Sequence, residues 1–184
     1  MQAKRKILII GHAKHGKTTV AKALTDYGYG YTYKDSSEVA AEAILPFFTS
    51  KYGYQTPQEL LERKDFYNGT SIGSDIRNDM YDQIKKVNLL GGFLCIPDMV
   101  YSQADIYVGL RDPGEFMALM SKYNPLVLQV DACQRLACRE SIFSNPLIHL
   151  VEQHHIADWF PTNWILIDNN LPEFKLPYYF TNIL

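Results

Sequence analysis

The sequence predicts an α/β fold in which a parallel sheet is flanked by helices on both faces. Short apolar runs alternate along the 184-residue chain with segments of helical periodicity, which is typical of this class. The runs are nearly continuous in apolar residues, as expected for strands that are buried on both faces of a sheet. In parallel sheets ligands bind beyond the carboxyl ends of the strands, so we expect the functional site at that edge.

The predicted strands are short and lie at intervals along the whole chain. Four apolar runs fit buried strands, at residues 6–10, 105–109, 126–130 and 164–167. A further short strand is predicted at residues 31–33, directly after the glycines that end the first helix.

The predicted helices are placed by capping residues and by apolar periodicity. They cover residues 19–24, about 36–45, 57–64, 76–88, 113–120, 134–140 and 147–159. Pro46 either kinks the second of these helices or begins a new turn. Residues 68–74 are predicted as a loop, with Ser74 or Asp75 capping the helix that follows.

Composition excludes several classes of function. A formal net charge of −2 argues against a general nucleic-acid binder, and no apolar stretch approaches the ~20 residues of a membrane span. The apolar run near the N-terminus is too short for a signal peptide. The three cysteines lack metal-site spacing, so we predict reduced thiols in a cytoplasmic protein with one domain over residues 1–184. The oligomeric state stays open, and a homodimer is compatible with the sequence.

Residues 11–18 match G-x-x-x-x-G-K-[ST], the phosphate-binding P-loop motif, between a predicted strand and a predicted helix. The two glycines let backbone N–H groups approach an anion, and the helix start adds the positive end of its dipole. Lys17 is expected on the β- and γ-phosphates and Thr18 on Mg²⁺. The motif predicts a nucleoside triphosphate and Mg²⁺ as ligands, with contacts to the triphosphate from Gly11, His12, Ala13, Lys14, His15, Gly16, Lys17, Thr18 and Thr19. A chance match in a glycine-rich turn is the alternative.

Four arginines are candidates for phosphate contacts, because phosphoryl transfer depends on positioning and charge neutralisation. Arg111 follows a predicted strand, where the alternative is a surface salt bridge. Arg77 lies near the start of a helix, where a phosphate contact and a solvent-exposed arginine without a ligand are about equally good interpretations. Arg135 and Arg139 share one helix face, so their like charges repel unless an anion lies between them.

Other polar residues have two interpretations each. Asp131, at the end of a predicted strand, either assists Mg²⁺ through water or caps the next helix. The group Ser36, Ser37 and Glu38 either contacts the acceptor or serves in helix capping. Tyr81 is one of several tyrosines that offer a face for a base, although most are expected in the core. The histidines at 149, 154 and 155 lack the spacing of a zinc helix, so no metal is assigned to them.

Together these blocks resemble bacteriophage deoxynucleoside monophosphate kinases, a branch of the P-loop nucleoside monophosphate kinases. The resemblance covers roughly residues 5–145. It is carried by GHAKHGKTTV at 11–20, SSEVAAE at 36–42, KYGY at 51–54, IR at 76–77, MYD at 80–82, DIYVGLR at 105–111 and VDA at 130–132.

The resemblance implies transfer of the γ-phosphate of ATP to a (deoxy)nucleoside monophosphate, which gives the diphosphate. It implies a P-loop NTPase fold with an acceptor-binding segment at about 36–90 and a short lid at about 132–146. Lys17 and Thr18 would serve ATP, Arg77 and Arg111 the acceptor phosphate, and the arginines at 135 and 139 the lid. A phage enzyme would act in the host cytoplasm.

Two other functions remain open at this stage. The chain is either a kinase for another small acceptor or a non-catalytic P-loop module that binds a nucleotide. Val108 stands where the wider family carries an aspartate, which favours the non-catalytic module. The several arginines favour an enzyme, since a nucleotide sensor has no need of cations around a transferring phosphate.

Overall fold

The computed structural model describes residues 4–26, 29–67, 69–92, 94–133, 145–160 and 162–170. Its described strands form one four-stranded sheet of order β2-β1-β3-β4, in which every pairing is parallel. The strands are β1 Ile7–Ile10, β2 Ile106–Val108, β3 Leu126–Asp131 and β4 Trp164–Asp168. The α/β class and the parallel sheet are therefore confirmed, while the P-loop NTPase fold and helices on both faces stay predictions.

Seven α-helices and one 3-10 helix lie among the described residues. The α-helices are α1 Lys17–Asp26, α2 Ser36–Tyr52, α3 Pro57–Phe66, α4 Ser71–Leu90, α5 Cys95–Gln103, α6 Pro113–Tyr123 and α7 Pro146–Gln153, and the 3-10 helix is Ile156–Trp159. Within the described part of the chain, none of these helices combines the length and apolar character that a membrane span requires.

The chain divides into two compact units. Residues Met1–Tyr33 and Ala104–Leu184 form the first, here called the sheet unit, and Lys34–Gln103 form the second, the helical unit. The helical unit contains α2 to α5 and the whole of the predicted acceptor segment, residues 36–90. The single domain expected from chain length stays a prediction, because compactness does not show whether the units fold independently.

Strand β1 is the centre of the sheet unit. All four of its residues are fully buried, and Ile7 and Ile9 pack in a cluster with apolar residues of α1 and of the neighbouring strands. Burial of one such side chain contributes about 1.5–3 kcal/mol. Because β1 lies between β2 and β3, its carboxyl end is the point where successive strands are added on opposite sides of the sheet.

The helical unit has its own apolar core. Helix α2 contacts α3, α4 and α5, and buried side chains of α2, α3 and α4 meet in one cluster. Beside it the rings of Phe48, Tyr52 and Tyr54 stack nearly parallel. Asp79 on α4 accepts hydrogen bonds from the Tyr52 hydroxyl and, at 2.5 Å, from the Lys51 ammonium. The polar groups at this edge of the cluster are therefore paired.

Two segments of the sheet unit differ from the prediction. Residues 31–33 form no strand, and Tyr33 makes only an isolated parallel bridge to Ile106. The Thr32 carbonyl accepts from the backbone N–H groups of Asp105 and Ile106 at 3.0 and 3.2 Å, and the Asp105 carboxylate accepts from the Thr32 N–H and hydroxyl at 3.0 and 2.8 Å, so the pairing is local and does not extend into a regular ladder. The helix predicted at 147–159 ends at Gln153, and His155 at φ 49° separates it from the 3-10 helix.

The helical unit differs from the prediction in three places. Helix α2 continues through Pro46 to Tyr52. Helix α4 begins at Ser71 because the Thr70 hydroxyl caps it, accepting from the Gly73 N–H at 3.1 Å. Helix α5 is missing from the sequence-based prediction. The helix predicted at 134–140 lies outside the described residues.

Glu115, in the first turn of α6, is a buried carboxyl group whose protonation affects stability. The Tyr107 hydroxyl donates to its Oε1 at 2.8 Å, but burial dominates and raises the pKa of Glu115 from 4.5 to about 7. Between these two pH values the folded protein keeps a proton that the unfolded chain has released. The free energy of unfolding therefore falls as pH rises through this window, by about 3 kcal/mol in total.

We expect Glu115→Gln to remove this part of the pH dependence, because glutamine accepts the Tyr107 hydrogen bond without ionising. Urea unfolding from pH 4.5 to 8 should show the variant gaining stability over the wild type as pH rises. Glu62→Gln is the matched control, since Glu62 is an exposed helical glutamate. A Glu115→Gln profile that runs parallel to the wild-type profile would contradict the assignment.

Candidate functional site

The candidate site lies at the carboxyl edge of the sheet. Residues 11–16, here called the glycine loop, follow β1 and lead into α1 at Lys17. Three further chain segments end at the same edge, because all four strands are parallel. Arg111 follows β2, Asp131 is the last residue of β3, and Asn169 follows β4.

The glycine loop is in close contact with the neighbouring strand ends. Gly11 has φ 151° and Gly16 has φ 93°, values that disfavour other residues. A Cβ on Gly11 would lie 2.5 Å from the Val130 carbonyl oxygen, and one on Gly16 would lie 2.3 Å from Asn169 Nδ2. Packing within the chain therefore requires both glycines. Lys14 also has a positive φ, of 66°, which marks the loop as strained.

Both histidines of the glycine loop accept hydrogen bonds at Nδ1. Asn145 N–H donates to His12 and Ala132 N–H donates to His15, each at 3.1 Å. An Nδ1 that accepts a hydrogen bond carries no proton, so both rings are assigned as the neutral Nε2–H tautomer. Burial, followed by the neighbouring basic side chains of His15, His149 and Lys17, lowers the pKa of His12 in agreement with this. The 3.7 Å approach of His15 Nδ1 to the Asp131 carboxylate is therefore not an ion pair.

Two asparagines that the sequence analysis did not select hold the glycine loop in place. Asn145, which caps α7, donates from Nδ2 to the Leu110 carbonyl at 2.7 Å and to the Gly11 carbonyl at 3.5 Å. Asn169 donates from Nδ2 to the His15 carbonyl at 2.7 Å. In the sequence only weak local patterns mark them: Asn145 precedes a proline in a predicted turn, and Asn169 lies in the polar run that ends a predicted strand. Neither pattern reveals a bond to a distant carbonyl.

Lys17 and Arg111 bring two positive charges to this edge. The Lys17 ammonium donates to the His12 carbonyl at 2.7 Å. Burial, and after it the charge of Arg111, lowers the pKa of Lys17 from 10.5 to about 8. Arg111 is exposed and forms no ion pair with any residue that the structure describes. An anion placed between the two cations would relieve their repulsion.

The predicted Mg²⁺ residues lie at the same edge. Thr18 and Thr19 are exposed in the first turn of α1, where a helix presents unpaired N–H groups. Asp131 Oδ1 accepts from the Cys133 N–H at 3.1 Å, and Asp131 Oδ2 accepts from Asn170 Nδ2 at 3.5 Å. The carboxylate thus has a local structural role at the strand end, and the Mg²⁺ role stays a prediction.

Two groups of side chains in the described part of the chain are close enough to hold a metal ion. One is His12, His149 and Glu152, and the other is His15, Asp131 and Cys133, with ligand atoms within 4.8 Å in each. Neither suits a metal well. A histidine that binds a metal through one ring nitrogen normally donates a hydrogen bond from the other. In His12 and His15 the nitrogen Nδ1 accepts a hydrogen bond, so neither ring has this arrangement with a metal on Nε2. Cys133 is also disulfide-bonded, which corrects the prediction of three reduced thiols; Cys95 is free.

The predicted acceptor residues lie in the helical unit. Ser36, Ser37 and Glu38 form the first turn of α2, which Asp35 caps by accepting from the Ser37 N–H at 2.8 Å. The capping interpretation therefore applies to Ser37, whose N–H takes part in the cap, and the contact to the acceptor stays a prediction.

Arg77 and Tyr81 are one turn apart on α4. The Arg77 guanidinium lies 3.5 Å from the Asp65 carboxylate, and the Tyr81 side chain is exposed. At the sheet edge the structure brings together residues 11–19, Arg111 and Asp131. Arg135 and Arg139 lie outside the described residues.

The comparisons with known proteins assign no family to the chain. No family model matches it, and no curated protein sequence matches it. Function therefore has to be argued from the site itself.

We expect Lys17→Met to stabilise the ligand-free protein, because it removes a buried charge next to Arg111. The shift of the Lys17 pKa corresponds to a penalty that is complete below pH 8 and disappears as pH rises towards 10.5. After subtracting the lost bond to His12, the expected gain at pH 7 is on the order of 1–2 kcal/mol.

Urea unfolding at pH 7, with and without tripolyphosphate, measures this effect. Without tripolyphosphate, Lys17→Met should be more stable than the wild type, and tripolyphosphate should stabilise the wild type and the Lys22→Met control but not Lys17→Met. Lys22→Met, which removes an exposed lysine of the same helix, is the control. If Lys17→Met proved less stable than the control, the charged Lys17 ammonium would not destabilise the ligand-free protein and the assignment would be wrong.

Proposed function

We propose that the protein is a P-loop nucleoside monophosphate kinase that transfers the γ-phosphate of ATP to a (deoxy)nucleoside monophosphate. The observation that carries the proposal is the pair of cations at the carboxyl edge of the sheet: Lys17 follows the glycine loop after β1, and Arg111 follows the neighbouring strand β2. An oxygen of the acceptor phosphate would attack the γ-phosphorus, the bond to the β–γ bridging oxygen would break, and ADP would leave.

The donor side of the proposal rests on the glycine loop and the start of α1. Backbone N–H groups and the helix dipole favour an anion there. The lowered pKa of Lys17 supports the same conclusion, because a phosphate would stabilise the charged ammonium that burial disfavours. Lys17 is therefore expected to bind most strongly where charge develops in the transition state.

Mg²⁺ is proposed as the accompanying ion. The Thr18 hydroxyl and the Asp131 carboxylate offer hard oxygen atoms, the donor type that Mg²⁺ prefers. When bound, the ion supplies positive charge to the phosphate oxygens of ATP. Thr18 and Asp131 would hold and orient it, directly or through water.

The acceptor side needs cations of its own, because two anionic phosphates repel each other. Arg111 is proposed to grip the acceptor phosphate through two parallel hydrogen bonds. For Arg77, which contacts Asp65, a role in acceptor binding is proposed on the sequence resemblance alone. Ser36, Ser37, Glu38 and Tyr81 are proposed contacts to the nucleoside. The lid role of Arg135 and Arg139 rests on the sequence alone.

Two competing functions predict different assay results. A non-catalytic nucleotide-binding module is favoured by Val108, a buried residue at the end of β2 that offers no acidic group. A kinase for another small acceptor would use the same donor residues. The exposed Arg111 favours catalysis, because a module that only binds ATP needs no second cation beyond Lys17.

The proposal is tested by coupled ADP formation with ATP, Mg²⁺ and a panel of ribo- and deoxyribonucleoside monophosphates. Turnover that depends on one or a few of these monophosphates would support it. ATP binding without turnover on any member would support the non-catalytic module instead. If the protein used ATP only with a small acceptor that is not a nucleotide, the proposed donor site would stand and the proposed acceptor class would be wrong.

We expect Arg111→Lys to raise the KM for the monophosphate and to lower kcat, while the Kd for ATP stays near the wild-type value. Loss of one charged bidentate contact costs on the order of 2–3 kcal/mol, or roughly a hundredfold in kcat/KM. Steady-state kinetics with each substrate varied in turn would measure it. Weaker ATP binding with an unchanged monophosphate KM would reverse our placement of donor and acceptor.

We expect Thr18→Ala to weaken the Mg²⁺ dependence of ATP binding, because its hydroxyl is the proposed ligand beside Lys17. ATP titrations with and without Mg²⁺ measure this dependence. Thr25→Ala, which removes a hydroxyl near the other end of α1, is the matched control. The same Mg²⁺ dependence in Thr18→Ala and in the control would argue against the role.

A further inference from the structure

Asn145 lies at the junction of the two segments that carry the cations. Its side chain is buried, with 3% of the residue exposed. The Nδ2 group donates to the carbonyl of Leu110, the residue before Arg111, at 2.7 Å. The same group donates to the carbonyl of Gly11, in the loop that leads to Lys17, at 3.5 Å. One amide therefore connects the end of β2 with the glycine loop.

The remaining polar groups of Asn145 fix its orientation. Oδ1 accepts from the Leu147 N–H at 3.0 Å and caps α7, and the backbone N–H donates to His12 Nδ1 at 3.1 Å. The oxygen and nitrogen of the amide are thereby distinguished, since a flipped amide would place oxygen against two carbonyl oxygens. The amide group cannot rotate without losing bonds on both sides.

Few other side chains can make this set of contacts. Aspartate caps a helix equally well but has no N–H to donate. Serine has only one polar side-chain atom, which cannot both lie at the cap position and take the place of Nδ2 between the two carbonyls. Asparagine combines the cap acceptor with a donor on the same short side chain. The residue type thus matches a connecting role as well as a capping role.

We propose that Asn145 is a positioning residue that sets the separation between the glycine loop and Arg111. This inference rests on the proposed function, in which Lys17 serves the donor phosphates and Arg111 the acceptor. Asn145 touches neither substrate in this scheme. It acts through two carbonyl groups, and it matters because reacting phosphates must be held within a narrow range of distances.

Asn145→Ser tests the proposal. Serine keeps the cap to Leu147, and the backbone N–H to His12 is unaffected, so mainly the two bonds from Nδ2 are removed. Asn163→Ser is the matched control. Asn163 is also buried; its Nδ2 donates to the Asn124 side chain and its Oδ1 accepts from the Arg5 guanidinium, but it precedes β4 and so lies at the opposite edge of the sheet. The two variants lose comparable buried amides.

The expected result is a split between turnover and ATP binding. A displacement of about 1 Å lowers catalysis by up to about a hundredfold, so kcat of Asn145→Ser should fall at least about tenfold. The Kd for ATP should stay within about threefold of wild type, because the glycine loop keeps its bonds to Asn169 and Ala132. Asn163→Ser should keep the wild-type kcat.

Two kinetic outcomes would overturn the inference. A kcat of Asn145→Ser within about threefold of wild type would mean that the amide positions nothing of consequence. An equal loss of ATP affinity and turnover would mean that Asn145 maintains only the glycine loop and does not position Arg111. If Asn145→Ser does not fold, Asn145→Thr keeps a capping hydroxyl and more of the side-chain volume without adding a charge, and the same criteria apply.

A measurement without substrates separates this inference from the proposed function. Hydrogen exchange by mass spectrometry should be faster in Asn145→Ser at residues 109–112 and in the glycine loop, and unchanged there in Asn163→Ser. Unchanged exchange in both segments of Asn145→Ser would overturn the inference. If the wild type turned over no monophosphate while these segments responded as expected, the proposed function would fail and the connecting role of Asn145 would stand.

Discussion

The turn from β1 into α1 is fixed by contacts that leave no space for a side chain at either glycine. The Val130 carbonyl stands against Gly11, and the Asn169 amide stands against Gly16. Val130 lies near the end of β3, the strand next to β1, and Asn169 directly follows β4. The backbone of the loop is therefore determined by the sheet, and binding of the phosphate that we propose there would carry little ordering cost.

The electrostatics of this edge follow from how the loop is held. Backbone N–H groups donate to Nδ1 of both histidines, so the rings are neutral and the positive charge comes from lysine and arginine side chains, Lys17 and Arg111 among them. Burial disfavours the Lys17 ammonium, and the Arg111 charge adds to the penalty. Such a conflict between stability and local charge is characteristic of binding sites, because the ligand relieves it.

The strands and the β1–α1 turn could be predicted because their signals are local. A continuous apolar run marks a strand buried on both faces, and two glycines followed by a helical pattern mark the turn. Helix α5 could not be predicted in this way. Its first turn is capped from another helix, where Asn88 Oδ1 accepts from the Ile96 N–H at 2.9 Å, and Pro97 interrupts the local pattern.

The supports of the candidate site were equally invisible in the sequence. Asn145 and Gly11 are 134 positions apart, and Asn169 and His15 are 154 positions apart. No local spacing encodes such contacts. The motif identified the residues with chemistry to offer, Lys17 above all, but the groups that orient them come from the far end of the chain. The same limit applied to Tyr33, whose predicted strand is reduced to an isolated bridge and to backbone and side-chain bonds between Thr32 and Asp105.

The chemistry of these supports is itself informative. The carbonyls of Gly11, Leu110 and His15 receive their hydrogen bonds from the neutral amides of Asn145 and Asn169. Lysine or arginine in their place would add charge and lower the pKa of Lys17 further. A carboxylate could not donate to a carbonyl, and it would compete with an anionic ligand for the two cations. Neutral amides hold the loop firmly while leaving the positive potential of Lys17 and Arg111 available to a phosphate.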